Sequence, residues 1–206
     1  MLVNKLEILK NINIEIPQKA IFSRLGYNFH KTKISDDYQK KIQDIINFAA
    51  ALCEISVCYK IFDIISNTDN KITITNNIIF NSKKLSEFLK ACDKIVMMAA
   101  TAGKKIYEEI QKHNKLSEAV ILDAVASEMT DAALDWLKNY LVNNFRRNNI
   151  IMTDTRYSAG YGDFDISNQK IIYDLLKLEK LGIAITDTFI LLPEKSVTAI
   201  YGLQTL

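Results

Sequence analysis

The stretch LGIAITDTFILLPEKSVTAIYGL, residues 181–203, decides the fold class of this chain. Its first half holds two short apolar segments, Ile183–Thr186 and Phe189–Leu192, that are typical of strands. Residues 193–195 (Pro-Glu-Lys) then predict a turn, and Val197–Tyr201 combines β-branched and aromatic residues in a pattern that favours a last strand. The sequence therefore predicts a C-terminal β-hairpin.

The rest of the chain mixes strands and helices without regular alternation. A second hairpin is predicted at 71–80 (KITITNNIIF), because Asn76 and Asn77 tolerate positive φ. The run 95–100 (IVMMAA) indicates a buried strand, and 6–16 alternates at period two as a first strand. Since strict βαβ alternation is missing, the predicted class is α+β. Helices are expected to begin near Pro17, Ser35, Ser82, Gly103, Ser117 and Ser167. An irregular stretch up to Ile166 is expected before the last helix, which should end at Gly182.

Length and composition exclude several classes of protein. The 206 residues suit one domain, and 26 basic against 24 acidic residues leave a net charge of +2, too small for a nucleic-acid-binding surface. We find no apolar run of about 18 residues, so no membrane span is predicted. With three cysteines, an odd number, and only His30 and His113, neither a disulfide framework nor a metal site is expected. These features favour a reducing, cytoplasmic location.

One loop concentrates residues that can bind a ligand. Residues 156–163 read RYSAGYGD and hold two of the six glycines, Gly160 and Gly162. Glycine permits positive φ and lets a ligand approach the main chain, while Arg156 offers a bidentate fork for a carboxylate or phosphate. The tyrosine faces can stack on a base or contact a cation. Taken alone, the same residues could also form a simple chain reversal.

The wider context of this loop resembles the activation domain of vitamin B12-dependent methionine synthases, in particular its stand-alone proteins. The similarity covers residues 80–205, including KLSEFLKACDKIVMMAATAG and AVILDAVASEMTDAALDWL, and extends loosely into 1–80 through FSRLGY. It implies one unit over 1–206 with a twisted antiparallel sheet and helices packed around it. The matching loop and C-terminal residues are Arg156, Ser158, Gly160, Tyr161, Gly162, Asp163, Gly182, Pro193, Lys195, Ser196 and Val197.

The resemblance implies an accessory role in methyl transfer, with no catalytic residue supplied by this chain. Proteins of this family bind S-adenosylmethionine and help to restore a cobalamin that has oxidised to the inactive cob(II)alamin form. An electron from a flavodoxin-type donor and a methyl group from S-adenosylmethionine regenerate methylcobalamin. The cobalamin would be carried by a partner, a methionine synthase or a related corrinoid protein.

The resemblance also implies the residues that bind S-adenosylmethionine. Arg156 would hold its carboxylate, Asp131 would pair with its ammonium group, and the main chain at Ala159, Gly160 and Tyr161 would contact adenine and ribose. Other interpretations of these residues remain open. Glu128, Asp131 and Asp135 could form a solvated acidic stripe on a helix, Arg156 could be a structural clamp, and Lys195 with Ser196 could simply make a turn.

The sequence is compatible with two other functions to different degrees. A protein with this fold could have lost the ligand and serve as an interaction or regulatory protein for another corrinoid methyltransferase system. An independent methyltransferase acting on a small molecule is disfavoured, because the sequence shows neither a Rossmann-type glycine signature nor a base that could activate a nucleophile.

Overall fold

A computed structural model describes residues 5–27, 35–68, 70–112 and 116–206 of the chain. His30 and His113 lie outside these ranges. Within the described residues the helices are α1 (Gln18–Arg24), α2 (Asp36–Leu52), α3 (Lys83–Phe88), α4 (Lys104–Lys112), α5 (Leu116–Arg146) and α6 (Asn168–Leu176). The strands are β1 (Glu7–Leu9), β2 (Ser56–Thr68), β3 (Lys71–Ile74), β4 (Ile78–Asn81), β5 (Lys94–Thr101), β6 (Ile150–Met152), β7 (Ala184–Ile185), β8 (Leu191–Leu192) and β9 (Ser196–Thr205).

Seven of the described strands form one antiparallel sheet. Its order is β4-β3-β2-β5-β9-β6, and β1 pairs with β2 beside that path. The first half of β2 pairs with β5, whereas its end, from Ile64 onwards, pairs with β3. The short strands β7 and β8 pair with each other outside this sheet. The predicted α+β class, an antiparallel sheet with helices packed around it, is confirmed.

The central strand β5 separates two hydrophobic cores. Successive side chains of a strand point to opposite faces, and every residue from Ile95 to Thr101 is buried. Val96 and Met98 therefore join a core with α1, α2, α4 and α5, while Ile95 and Met97 join a second core with α3, α6 and the β3–β4 hairpin. The prediction of a buried strand at this position is confirmed.

Several local predictions hold for stereochemical reasons. Asn76 and Asn77 adopt φ of 67° and 57° in the connection between β3 and β4, so the central hairpin is confirmed. Ser82 caps α3, its hydroxyl accepting a hydrogen bond from the N–H of Leu85 at 3.0 Å. Gly26, with φ of 82°, follows α1 as expected.

Other expectations were wrong. The first strand covers only Glu7–Leu9, and the alternation to Ile16 continues as irregular chain packed on the first core. Helix α5 already includes Ser117, which is therefore not its cap. The stretch expected to be irregular contains β6, which pairs with the end of β9. Helix α6 ends at Leu176, because Lys177 takes the left-handed conformation, and Gly182 ends the following 3-10 turn instead.

The glycine-containing loop, residues 156–163, is anchored at both ends. At its start, Tyr157 and Ile200 of β9 exchange two backbone hydrogen bonds of 2.9 and 2.7 Å. At its end, the carboxylate of Asp163 accepts hydrogen bonds from the hydroxyl of Ser82 at 2.5 Å and from the N–H of Lys83 at 2.7 Å. The loop thus joins the edge of β9 to the first turn of α3.

The Asp163 contact makes stability depend on pH. The hydrogen bond from Ser82, followed by those from the backbone N–H groups of Lys83 and Lys84, lowers the pKa of Asp163. A carboxylate with a lowered pKa stabilises the fold above its pKa in the unfolded chain, about 4, and this contribution is lost as pH falls through the folded-state pKa. We expect Asp163→Asn to unfold at lower urea concentration than the wild type at pH 7, with the difference shrinking below about pH 4.

Urea unfolding followed by circular dichroism at pH 7 and pH 3 measures this effect. Asp187→Asn, an exposed aspartate between β7 and β8, is the matched control for the loss of one negative charge. An Asp163→Asn difference that is equal at both pH values would contradict the assignment.

Gly202 allows β9 to pass close to a neighbouring loop. A Cβ atom added there would lie 2.3 Å from the Sγ of Cys92 and 3.1 Å from the Cδ2 of Leu89. Overpacking of this kind costs about 1–3 kcal/mol. We expect Gly202→Ala to lower the free energy of unfolding by that amount, and by less than half of it when Cys92→Ala is already present. Equal costs in the two backgrounds, measured by urea unfolding, would contradict the predicted clash.

Candidate functional site

A cluster of charged side chains joins three distant parts of the chain. The Nη2 of Arg156 donates a hydrogen bond to the Oδ1 of Asp131 at 2.8 Å. The Nη2 of Arg24 lies 4.0 Å from the Oδ2 of Asp131, and the Nε of Arg24 donates to Glu128. Two of the residues predicted for the site, Arg156 and Asp131, are thus in direct contact with each other.

Three separate segments of the chain position the members of the cluster. Glu128 and Asp131 lie three residues apart on α5, and therefore share one face of that helix. Arg24 occupies the last turn of α1, and Arg156 precedes the residue that pairs with β9. The side chain of Glu128 is only 16% exposed, so this part of the predicted acidic stripe is paired rather than solvated, while Asp135 is exposed.

The electrostatics of Arg156 follow from this pairing. Burial would lower the pKa of its half-buried guanidinium, but the hydrogen bond and the charge of Asp131 outweigh that effect and raise the pKa. Arg156 therefore stays charged. Burial raises the pKa of Tyr201, and the positive charge of Arg156 partly offsets that rise. One guanidinium offers five N–H donors; the bond to Asp131 occupies one of them, and Tyr201 also interacts with this guanidinium. The remaining donors suit a carboxylate or phosphate.

A pocket of about 510 Å³ opens beside Arg156. Of the five predicted residues, Arg156, Ala159 and Tyr161 line it. Gly160 and Asp131 are not lining residues: Gly160 lies between Ala159 and Tyr161 in the chain, and Asp131 is hydrogen-bonded to Arg156. The remaining walls come from α6, from the β7–β8 region and from β9, and include the apolar Ile166, Phe189, Ile190, Leu191 and Val197. The pocket therefore carries charged side chains at Arg156 and at the exposed Glu194, several neutral polar side chains, and apolar walls between them.

The backbone N–H groups of Gly160 and Tyr161 are already bonded within the chain, and main-chain contact with a ligand at Ala159, Gly160 and Tyr161 stays a prediction. Gly160, with φ of 90°, donates its N–H to the carbonyl of Phe164 at 2.7 Å. The N–H of Tyr161 donates to Ser158 at 3.3 Å. Both donors are thus used in local backbone hydrogen bonds, whereas none of the hydrogen bonds found in the described ranges uses the backbone of Ala159. The side chain of Tyr161 is 69% exposed at the pocket.

Lys195, for which a simple turn was one interpretation of the sequence, connects β9 to α5. Its ammonium group lies 2.6 Å from the Oδ1 of Asp123, and its carbonyl accepts a hydrogen bond from the N–H of Ala102 at 2.9 Å. The hydroxyl of Ser196 donates to Thr101 at 2.9 Å. These contacts fix the start of β9. The ammonium group of Lys195 is directed to Asp123, and Lys195 does not line the pocket.

Metal binding, thiol chemistry and membrane insertion were expected to be absent from this chain. The described residues contain no group of three or more His, Cys, Asp or Glu side chains that could hold a metal ion. Burial raises the pKa of Cys53 and of Cys58 to about 12, so both thiols stay protonated near neutral pH. None of the helices in these ranges is long and apolar enough to span a membrane.

Comparison with known proteins identifies the fold and the family. Residues 81–205 match the family described as "Vitamin B12 dependent methionine synthase, activation domain". A solved structure described as the MetH reactivation domain bound to AdoHcy has a TM-score of 0.70, covering 96% of this chain and 78% of that chain at 15% sequence identity. No curated protein matches the sequence.

The family match covers more than half of the chain, and it includes the loop, α6, the β7–β8 pair and β9. The predicted antiparallel sheet with surrounding helices agrees with the similar solved structure over nearly the whole chain. The chain therefore belongs to the activation-domain family of vitamin B12-dependent methionine synthases.

Proposed function

We propose that this chain binds S-adenosylmethionine in the pocket beside Arg156 and presents it to a cobalamin carried by a partner protein. The observation that carries this proposal is the Arg156–Asp131 pair at the edge of the pocket. Two opposite charges side by side match the carboxylate and ammonium of an amino acid. When bound, S-adenosylmethionine would supply an activated methyl group on its sulfonium.

The residues present fit this ligand. A pocket of about 510 Å³ lies within the range of small-molecule sites, roughly 300–1,000 Å³. Arg156 can direct its free N–H donors to the carboxylate, and Asp131, which is 40% exposed, can accept from the ammonium. The apolar walls at Ile166, Leu191 and Val197 suit a flat adenine ring. Because methyl transfer to a metal nucleophile is governed by position, no general base is required of this chain.

The outer part of the pocket supports presentation to a partner. Tyr161, Ile166 and Ile190 line the pocket and are 69%, 38% and 48% exposed. Exposed aromatic and aliphatic side chains beside a pocket are typical of a surface covered by another molecule. In this proposal they meet the corrinoid protein, a methionine synthase module or a related protein, and a flavodoxin-type protein supplies the electron.

The Arg156 interaction is tested by calorimetric titration with S-adenosylmethionine. A hydrogen bond to a charged group contributes about 1.5–3 kcal/mol, so Arg156→Ala should weaken binding roughly 10- to 100-fold. Arg156→Lys keeps the charge but loses the planar fork, so its affinity for S-adenosylmethionine should lie between those of the wild type and Arg156→Ala. Arg147→Ala, an exposed arginine just after α5, is the matched control and should bind as the wild type does.

One observation favours a second candidate function. Arg156 and Asp131 already bind each other, and the N–H groups of Gly160 and Tyr161 are used in local backbone hydrogen bonds. A protein that has lost the ligand and acts only as an interaction or regulatory partner for a corrinoid system would keep this arrangement. Absence of binding heat at millimolar S-adenosylmethionine, together with co-purification of a corrinoid protein from the native cell, would favour this second function over the first.

A further inference from the structure

Gln169 is a buried polar residue with an unused hydrogen-bond donor. It is the second residue of α6, is 5% exposed, and lines the pocket beside Arg156. Its Oε1 accepts a hydrogen bond from the Oγ1 of Thr198 at 2.9 Å. Its Nε2 is buried and has no hydrogen-bond partner among the described residues. Buried amide donors are rarely left unpaired, so this one calls for a partner.

The contact with Thr198 holds the carboxamide in one orientation. Thr198 is a buried residue of β9 that also lines the pocket, and its carbonyl accepts a hydrogen bond from the hydroxyl of Ser158 at 2.7 Å. Since the oxygen of the Gln169 amide is engaged by β9, its nitrogen remains as the donor. A side chain held in this way loses little freedom when it binds.

The surroundings of Gln169 differ from those of Arg156. Ala159, Ile166 and Val197 line the pocket without a charge or a side-chain hydrogen-bonding group, Ser158, Ser196 and Thr198 line it as neutral polar residues, and the exposed Glu194 is its acidic residue. A neutral donor among apolar walls suits a neutral acceptor on a flat ring. The carboxylate and ammonium of an amino acid would instead be held by the Arg156–Asp131 pair.

We propose that Gln169 is a specificity residue that donates a hydrogen bond from Nε2 to a ring nitrogen of the adenine base. This inference rests on the proposed binding of an S-adenosyl ligand and adds a residue that recognises its adenine base by a hydrogen bond. Purine nitrogens N1, N3 and N7 are acceptors without a proton, which is the complement that the free N–H requires. A pocket whose buried donor would be left unpaired discriminates against ligands that lack the acceptor.

The test compares two ligands with the intact protein, S-adenosylhomocysteine and adenosine, which lacks the amino-acid end. Gln169→Leu should lower the affinity for both ligands by the same factor, roughly tenfold, which corresponds to the loss of one hydrogen bond. Arg156→Ala should weaken S-adenosylhomocysteine and leave adenosine unchanged. Gln169→Glu, which can still accept from Thr198 but lacks the N–H, should behave as Gln169→Leu does. Competition titrations measure the weaker affinities, and circular dichroism melts confirm that each variant is folded.

Three deaza analogues of adenosine, each with one of N1, N3 or N7 replaced by carbon, then identify the acceptor. The analogue that lacks the contacted nitrogen should bind the wild type and Gln169→Leu equally. An equal loss in Gln169→Leu for all three analogues would overturn the ring-nitrogen assignment. If the wild type binds S-adenosylhomocysteine and both Gln169 variants bind it equally well, this inference fails alone. If the wild type binds neither ligand, the proposed function fails and this inference fails with it.

Discussion

The pairing of β9 with its neighbours is the constraint on which the rest of the structure depends. On one edge β9 pairs with β5 in an unbroken antiparallel register from Ser196 opposite Thr101 to Leu203 opposite Lys94. On the other edge Ile200 of β9 pairs with Tyr157 of the glycine-containing loop, and the end of β9 pairs with β6. One strand thus sets the position of the central sheet and of the loop beside the pocket.

The alternation of side chains along β9 links the two faces of the sheet to the site. Tyr201 belongs to the core beneath α5, near Arg156, whereas Ile200 belongs to the core beneath α6. Thr198 lies two residues from Ile200 and therefore points toward α6, where its hydroxyl meets Gln169. The pocket lies where the loop passes the edge of β9, so both faces contribute to it. A shift of one residue in the register would exchange these contacts.

Local features of this fold could be predicted from sequence, whereas contacts between distant segments could not. The hairpin at Asn76 and Asn77 follows from backbone stereochemistry, and the buried β5 from its apolar run. Arg24 and Glu128 lie 104 residues apart, and no local pattern encodes the packing of α1 on α5. Glutamine is usually found at the surface, and Gln169 is buried because β9 lies against the start of α6. Strand β6, with three residues, is too short for a periodicity to show.

The paired state of Arg156 also bears on how a ligand would enter. A half-buried guanidinium without a partner would be costly, and Asp131 removes that cost before any ligand arrives. An amino-acid ligand carries both charges, so it can extend the pair into a four-membered network without leaving either residue unpaired. A ligand with a carboxylate alone would add one negative charge beside Asp131 and Asp135, whereas Glu128 is already paired with Arg24. Under the proposed function, this arrangement would favour a zwitterion over a simple anion and would leave recognition of the remainder of the ligand to the neutral residues of the pocket.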